Sequence, residues 1–241
     1  MKPLEAARLL YINGEIAEAE TILRALWGQV DLVDGEASFE LLCAMLEVGV
    51  ARDPHFTHQF LEGLISGEGS HQEIWETRTL SQQGVLFEWH GHVSFLIGES
   101  AQALDSLTRA ASLGCDHSML WMQLASLFVD NGELDLGLRY AKRSLQLYKQ
   151  LDLSFGQSQD EVIGAFGGKH PTGFEHNVET FMGLLLRSTK LAKNHKSLKV
   201  VRELIVEMIH QFPEEVRLPK IRLLVERNIV SGALQQPTLS I

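Results

Sequence analysis

The sequence contains little cysteine, little proline and no long hydrophobic run. Its 241 residues include two cysteines and six prolines, and 7% are aromatic. Because Cys43 and Cys115 both lie within apolar helical patterns, we expect buried, reduced thiols rather than a disulfide. No apolar run approaches the roughly 18 residues that cross a bilayer, and the N-terminal segment lacks the apolar core of a secretory signal. We therefore expect a cytoplasmic protein with no membrane partner.

Positive charge is also scarce. Lys and Arg total 21 against 31 Asp and Glu, a formal charge of −10 at pH 7, which disfavours a general polyanion binder. The distribution is uneven, since residues 187–227 carry ten basic and five acidic side chains. Basic residues there recur every three positions and drift around the helix, without aromatic residues for base stacking. A solvated face or pairing with acidic regions is therefore favoured over nucleic acid binding.

Strand patterns are absent. Apolar residues recur at the three- and four-residue spacing of helices, and no stretch alternates apolar and polar residues between turn signals. The sequence therefore predicts an all-α protein, in which Gly49 marks a turn and Pro54 opens the next helix. A helix beginning near Gln72 either breaks at Gly84 or continues to Ile97. Outside residues 72–151, the expected helices cover about 4–12, 16–27, 36–48, 54–64, 174–193, 197–212 and 221–229.

An internal repeat lies within residues 84–151. Two segments align when Gly98 is placed on Gly132, 34 residues later, and a weaker copy surrounds Gly14, with the small Ala19 five residues further on. The segments share a large residue, an apolar-small pair, a bulky residue, a turn glycine and small residues in a second helix. The aligned pairs are Phe87 and Trp121, His90 and Leu124, Gly91 and Ala125, Ser94 and Phe128, Ala103 and Gly137, Leu107 and Ala141, and Ala110 and Ser144.

This pattern resembles the tetratricopeptide repeat (TPR), a 34-residue helix pair with the motifs W-x2-L-G-x2-Y and A-x3-F. The first motif is matched by Trp121, Leu124, Ala125 and Phe128, and the second, in size alone, by Gly137 and Ala141. The resemblance implies a TPR-like antiparallel helix-pair solenoid and a role in protein binding. Small residues are expected where the two helices of a pair cross closely. Residues 36–64 are assigned as a further pair by helix count.

The resemblance also implies where a partner binds. In this family the first helix of each pair lines the concave wall of the solenoid. The implied partner-binding residues are Val85, Glu88, His92 and Phe95 in the first strong repeat and Met119, Met122, Ser126 and Val129 in the second. This mostly apolar set lacks the lysine and asparagine that grip a C-terminal carboxylate in some family members, which favours an apolar peptide or partner helix. Alternatively, the C-terminal helices cover these residues and they form core.

No residue pattern predicts a catalytic site, a metal site or a cofactor. His55 and His58 are three residues apart, and the two-residue spacing of His90 and His92 points their side chains to different sides of a helix. Neither pair has a cysteine or carboxylate at a recognised ligand spacing. The Gly-Gly-Lys segment before His170 departs from the phosphate-binding loop, which requires Ser or Thr at that position.

The predicted organisation has four parts. They are TPR-like helical repeats over 1–151, a glycine-rich connection over 152–173 with a short helix at 160–166, a C-terminal helical bundle over 174–230, and a flexible tail over 231–241.

The predicted function is a non-catalytic scaffold, such as an adaptor, assembly factor or chaperone, that binds another protein or a peptide. The acidic body suits a basic partner with an apolar anchor. A second hypothesis is a regulatory sensor in which a short peptide or small ligand repositions the C-terminal helices, motivated by the long connection. A third is a helical enzyme using Lys169 and His170. The sequence does not define the oligomeric state.

Overall fold

The computed structural model describes residues 3–29, 35–67, 72–154, 174–192, 195–211 and 218–234. These residues form α-helices and no strand, which confirms the all-α prediction. None of the described helices is both long and apolar enough to cross a membrane. The helices are α1 (Pro3–Ile12), α2 (Ile16–Trp27), α3 (Gly35–Arg52), α4 (Pro54–Ser66), α5 (Gln72–Glu76), α6 (Leu80–Ile97), α7 (Ser100–Ser112), α8 (Ser118–Asp130), α9 (Leu134–Ser154), α10 (Phe174–Leu191), α11 (His195–Gln211) and α12 (Leu218–Leu234).

The helices group into two compact units, with the boundary between Asp116 and His117. The N-terminal unit contains α1 to α7, and the C-terminal unit contains α8 to α12. The sequence predicts a domain division after residue 151, based on the glycine-rich segment. Residues 155–173 lie outside the described residues, so this division stays a prediction. The short helix predicted at 160–166 lies there too. Helix α12 continues to Leu234, so the first residues assigned to the tail are helical.

The same turn joins α1 to α2, α6 to α7 and α8 to α9. Gly98 and Gly132 both have φ near +85°, at 87° and 84°, a conformation that glycine adopts without strain. The following amide closes each turn with a 2.8 Å hydrogen bond, and these bonds run from Glu15 N to Leu10 O, from Glu99 N to Ser94 O and from Glu133 N to Phe128 O. The 34-residue offset therefore corresponds to a repeated helix-turn-helix geometry.

Small residues lie where paired helices cross. A Cβ added at Gly91 would approach Leu107 Cγ to 2.6 Å, and one added at Gly137 would approach Val129 Cγ2 to 2.6 Å. Both distances are shorter than real contacts allow, so a side chain there would force the helices apart. Ala103 is fully buried at the corresponding crossing. The predicted close crossings are confirmed.

The predicted turn at Gly49 is wrong. Helix α3 continues through Gly49 to Arg52, and only Asp53 separates it from α4. Asp53 caps α4 by accepting a 3.0 Å hydrogen bond from the Phe56 amide, and Pro54 occupies the first turn as expected. Gly49 instead allows α3 to lie close to Thr57 of α4, because a Cβ at this position would be 2.8 Å from Thr57 Oγ1.

Both interpretations of residues 72–97 placed one helix from Gln72 to Gly84 or beyond, but α5 ends at Glu76 and a separate helix begins at Leu80. Thr79 Oγ1 accepts from the Gln82 amide, and Gln82 Oε1 accepts from the Thr79 amide, each at 3.2 Å. This capping box begins α6 at Leu80, and the helix then runs through Gly84 to Ile97.

Each unit has its own apolar core. In the N-terminal unit, Ala7, Leu23 and Leu41 belong to a cluster formed by α1, α2 and α3. In the C-terminal unit, Leu198, Val201 and Leu204 on one face of α11 are buried in a cluster with residues of α8, α9, α10 and α12.

Candidate functional site

The four partner-binding residues predicted in the N-terminal unit lie on α6. Val85, Glu88 and His92 are buried, and Phe95 is half-buried. Burial, and then the nearby carboxylate of Glu88, raise the pKa of the Cys115 thiol. These positions therefore present little surface in this structure, and partner binding at them stays a prediction.

The four predicted residues of the C-terminal unit lie on α8 and are also buried. Met122 is 2% exposed and, with Val129, belongs to the cluster that includes Leu184 of α10 and Leu198 of α11. For Met122 and Val129, this arrangement corresponds to the alternative in which the C-terminal helices cover the predicted partner-binding residues.

Arg187 of α10 reaches the same face of α8. Its Nη2 donates a 2.5 Å hydrogen bond to Ser126 Oγ, and its Nε lies 2.7 Å from the carboxylate of Asp130. An arginine that contacts a hydroxyl and a carboxylate on one helix fixes the position of its own helix against it. The hydroxyl of Ser126, a predicted partner-binding residue, therefore already accepts a hydrogen bond from α10.

A groove that the sequence did not indicate opens between α2, α3 and α4, entirely within the N-terminal unit. Its volume is about 790 Å³. Phe56 is 60% exposed on its wall, whereas Leu23 and Leu42 are fully buried beneath. Its apolar lining consists of Leu23, Trp27, Leu42, Met45, Leu46, Val48, Phe56 and Phe60. The groove therefore offers apolar side chains to solvent at a site of ligand size.

The charged residues around this groove pair with one another. Glu20 of α2 forms ion pairs with Arg24 on the same helix, at 2.6 Å, and with Arg52 of α3. Asp53 caps α4. Because the carboxylates of Glu20 and Asp53 are already engaged in these contacts, a ligand in the groove would mainly contact the apolar lining.

The basic run of the C-terminal unit is partly paired. Arg202 of α11 lies 3.5 Å from the carboxylate of Glu226 on α12, and Arg222 lies 2.9 Å from it. The hydrogen bond from Arg222, followed by the contact with Arg202, lowers the pKa of Glu226. Lys190 and Lys199 are exposed. The described residues thus combine a solvated face with ion pairs, and these pairs are made within the C-terminal unit.

Both cysteines are buried free thiols, as predicted. Burial is the main cause that raises the pKa of Cys43 and of Cys115 to about 12. A protonated, buried thiol is a poor nucleophile and a poor metal ligand. Neither cysteine is a candidate for catalysis.

One histidine of each sequence pair meets the other in the N-terminal unit. The rings of His58 on α4 and His90 on α6 stack with centroids 4.8 Å apart, and Glu62 lies beside them. Burial, and then the neighbouring His58, lower the pKa of His90 to about 4, so its ring is neutral at pH 7. The sequence spacings between His55 and His58 and between His90 and His92 do not indicate the contact of His58 with His90, because that contact joins different helices. The four-residue spacing from His58 to Glu62 is the one signal that the sequence contained.

No protein-family model matches the sequence, and no curated protein shows significant similarity to it. Among solved structures, the crystal structure of MamA protein aligns with a TM-score of 0.45 and 16% sequence identity, over 79% of this chain and 92% of that chain. At this level the alignment assigns neither family nor function. The helix-pair architecture rests on the repeated turns and close crossings.

Proposed function

We propose that this protein is a non-catalytic scaffold that binds a segment of another protein, as an adaptor, assembly factor or chaperone. The observation that supports this function is the apolar groove between α2, α3 and α4 in the N-terminal unit. A volume of about 790 Å³ accommodates a few large apolar side chains of a partner. Interfaces commonly gain most of their affinity from such a small number of anchors.

The charge of the N-terminal unit indicates the chemistry of the partner. Residues 1–116 contain six basic and eighteen acidic side chains, a formal charge of −12. Opposite charge around an apolar anchor accelerates encounter and selects partners. The proposed ligand is therefore a basic amphipathic segment of another protein.

A peptide library displayed on phage tests this proposal with the full chain as bait. We expect the selected peptides to contain large apolar residues flanked by Lys or Arg. Phe56→Glu places a charge on the exposed groove wall and should weaken binding of a selected peptide at least tenfold. Leu80→Glu is the matched control, because Leu80 is a 68% exposed apolar residue of the same unit outside the groove.

Two results would contradict the proposal. One is a selection that yields no peptide with apolar and basic residues. The other is equal binding of a selected peptide to wild type, Phe56→Glu and Leu80→Glu, which would place the contact away from the groove. Thermal denaturation of both variants checks that each remains folded.

A second candidate function is a regulatory sensor whose C-terminal helices move when a peptide binds. The specific observation that favours it is the contact of Arg187 with Ser126 and Asp130, which holds α10 over predicted partner-binding positions. Displacement of α10 would free Met122 and Val129 for the concave-groove role.

Hydrogen exchange distinguishes the two functions. For the sensor, a selected peptide should change exchange in α10 and α11, and Arg187→Ala should increase exchange there before peptide is added. Lys190→Ala, at an exposed position on the same helix, is the control. For the scaffold alone, protection is confined to α2, α3 and α4.

A further inference from the structure

Three side chains with metal-binding atoms converge in the N-terminal unit. His58 and Glu62 lie one turn apart on α4, and His90 lies on α6. One ligand atom from each is within 4.8 Å of the other two. His58 and His90 are buried, and the Glu62 side chain is 45% exposed, so the cluster has a buried side and a side that reaches solvent.

Hydrogen bonding defines the tautomer of His58. Ser94 Oγ donates its single proton to the carbonyl oxygen of His90 at 2.7 Å, so it can only accept from His58 Nε2, 3.0 Å away. Nε2 therefore carries a proton. Nδ1 is then the nitrogen of this ring left for another contact, and it faces the Glu62 carboxylate at 3.7 Å, beyond hydrogen-bond distance.

His90 contributes a second nitrogen. Its Nδ1 hydrogen-bonds to Ser106 Oγ at 2.7 Å, which leaves Nε2 for another contact. That Nε2 is buried and has no hydrogen-bond partner among the residues the structure describes. His90 as a whole is only 7% exposed, so the unpaired nitrogen is removed from water. Such an atom costs free energy unless something binds it.

Each of the three side chains has an orienting partner. Ser94 and Ser106 hold the two rings, and Gln102 of α7 donates a 3.1 Å hydrogen bond to Glu62 Oε1, which leaves Oε2 towards His58. Metal-binding histidines and carboxylates generally have outer hydrogen bonds of this kind.

The next repeat indicates that the fold does not require polar groups at these positions. His90, Ser94 and Ser106 correspond, 34 residues on, to Leu124, Phe128 and Tyr140. In that repeat the rings of Phe128 and Tyr140 pack against each other with centroids 5.4 Å apart. An apolar and aromatic set therefore fills the same place in an equivalent helix pair.

We propose that His58 Nδ1, His90 Nε2 and a Glu62 oxygen bind a divalent transition-metal ion of the zinc, cobalt and nickel class. Two imidazoles and one carboxylate suit these ions, and water completes the coordination on the exposed side. Ligand bonds of about 2.0–2.2 Å require the three atoms to move closer together than they are. Half-exposed Glu62 has the freedom to make that movement.

Titration of the chelator-treated, tag-free full chain with Co²⁺ tests the proposal. Visible absorption reports coordination by nitrogen, and isothermal titration calorimetry reports stoichiometry. We expect one ion per chain, displaced by Zn²⁺. Glu62→Gln should weaken binding at least tenfold, and His90→Leu, which introduces the residue of the next repeat, should abolish it. Ser106→Ala should weaken binding about 10- to 100-fold through the lost orienting hydrogen bond.

His55→Ala is the matched control, because His55 is an exposed histidine near the start of α4, and it should bind like wild type. Absence of stoichiometric binding to wild type would overturn the proposal. Unchanged binding in Glu62→Gln would also overturn it, whatever His90→Leu does, and this exposed substitution leaves the fold intact.

Discussion

The helix pairs α6–α7 and α8–α9 have the same turn and different interiors. Both turns have a glycine at φ near +85° followed by a 2.8 Å amide hydrogen bond, one repeat apart. The first interior holds His90, Ser94 and Ser106, and the second holds Leu124, Phe128 and Tyr140. Turn glycines and small crossing residues are therefore what the two helix pairs have in common. The residue types at the remaining interior positions differ between the two pairs, and those of the first pair are polar.

The units that contain these pairs also differ. Residues 1–116 of the N-terminal unit have a formal charge of −12, whereas residues 117–154 and 175–241 of the C-terminal unit have fourteen basic and eleven acidic side chains, a charge of +3. Both cysteines, the apolar groove and the histidine cluster lie in the acidic unit. We accordingly expect ligand binding to concentrate in the N-terminal unit, and the following predictions test that difference.

The largest expected effect is on thiol labelling. Because both cysteines lie in the N-terminal unit, a thiol reagent reports the opening of that unit alone. Burial raises the pKa of Cys43 from 9.0 to about 12, which lowers the thiolate fraction about a thousandfold, and exclusion of the reagent adds to this. Labelling of native protein should be at least that much slower than in denaturant, measured by mass spectrometry. Fast native labelling would mean that the N-terminal core is open.

The next effect concerns the apolar interior of the C-terminal unit. Met122→Glu places a carboxylate at a position that is 2% exposed and should destabilise by at least about 3 kcal/mol. Urea unfolding followed by circular dichroism measures it. Leu191→Glu, at a 41% exposed position of α10, is the control and should change stability by less than about 1 kcal/mol. A stable Met122→Glu protein would mean that α8 faces solvent as a docking wall.

A smaller effect is expected at the helix crossings, and it should be similar in the two pairs. Gly91→Ala and Gly137→Ala each bring a methyl group within 2.6 Å of a neighbouring side chain and should destabilise by about 1–3 kcal/mol. Gly28→Ala at the end of α2 is the control. Its methyl group would meet its nearest atoms at an ordinary 3.8 Å, so a change of less than about 1 kcal/mol is expected. If all three variants behave alike, close crossing does not define the repeat.

The smallest effect is expected when the first interior loses its buried histidine and serine. His90→Leu combined with Ser106→Ala removes both partners of a buried hydrogen bond and the unpaired Nε2 of His90. Stability in the absence of metal should change by no more than about 1 kcal/mol in either direction, as seen by urea unfolding. A loss of several kcal/mol would make the histidine cluster a structural requirement and weaken the comparison.

Local features of the fold could be predicted from the sequence. The bounds of α2, the turns at Gly98 and Gly132, and the small residue at Gly137 all follow from spacing and residue size. Apolar spacing alone does not locate the start of α6. The Thr79 and Gln82 capping box does locate it, and that pattern is local in the sequence. Gly49 was misassigned because glycine serves both turns and close contacts, and only the position of Thr57 distinguishes them.

Features that join distant helices could not be predicted. Coverage of Ser126 by a C-terminal helix was one of two alternatives, and the choice between them depends on where Arg187 packs, 61 residues away. The meeting of His58 with His90 depends on how α4 packs against α6, and each residue was assessed only against its sequence neighbours. The groove between α2, α3 and α4 is likewise a product of packing, since its lining residues have ordinary helical spacing.

Equivalent helix pairs share a backbone and differ in chemistry, and the first pair contributes His90 to the proposed metal site, whose other ligands, His58 and Glu62, lie on α4. A crystal structure of the tag-free protein soaked in Zn²⁺, with anomalous diffraction at the zinc edge, is the sharpest test. We expect one anomalous peak at about 2.0–2.2 Å from His58 Nδ1, His90 Nε2 and Glu62, and an apolar α8–α9 pair without metal. No peak at this cluster would contradict the proposed site.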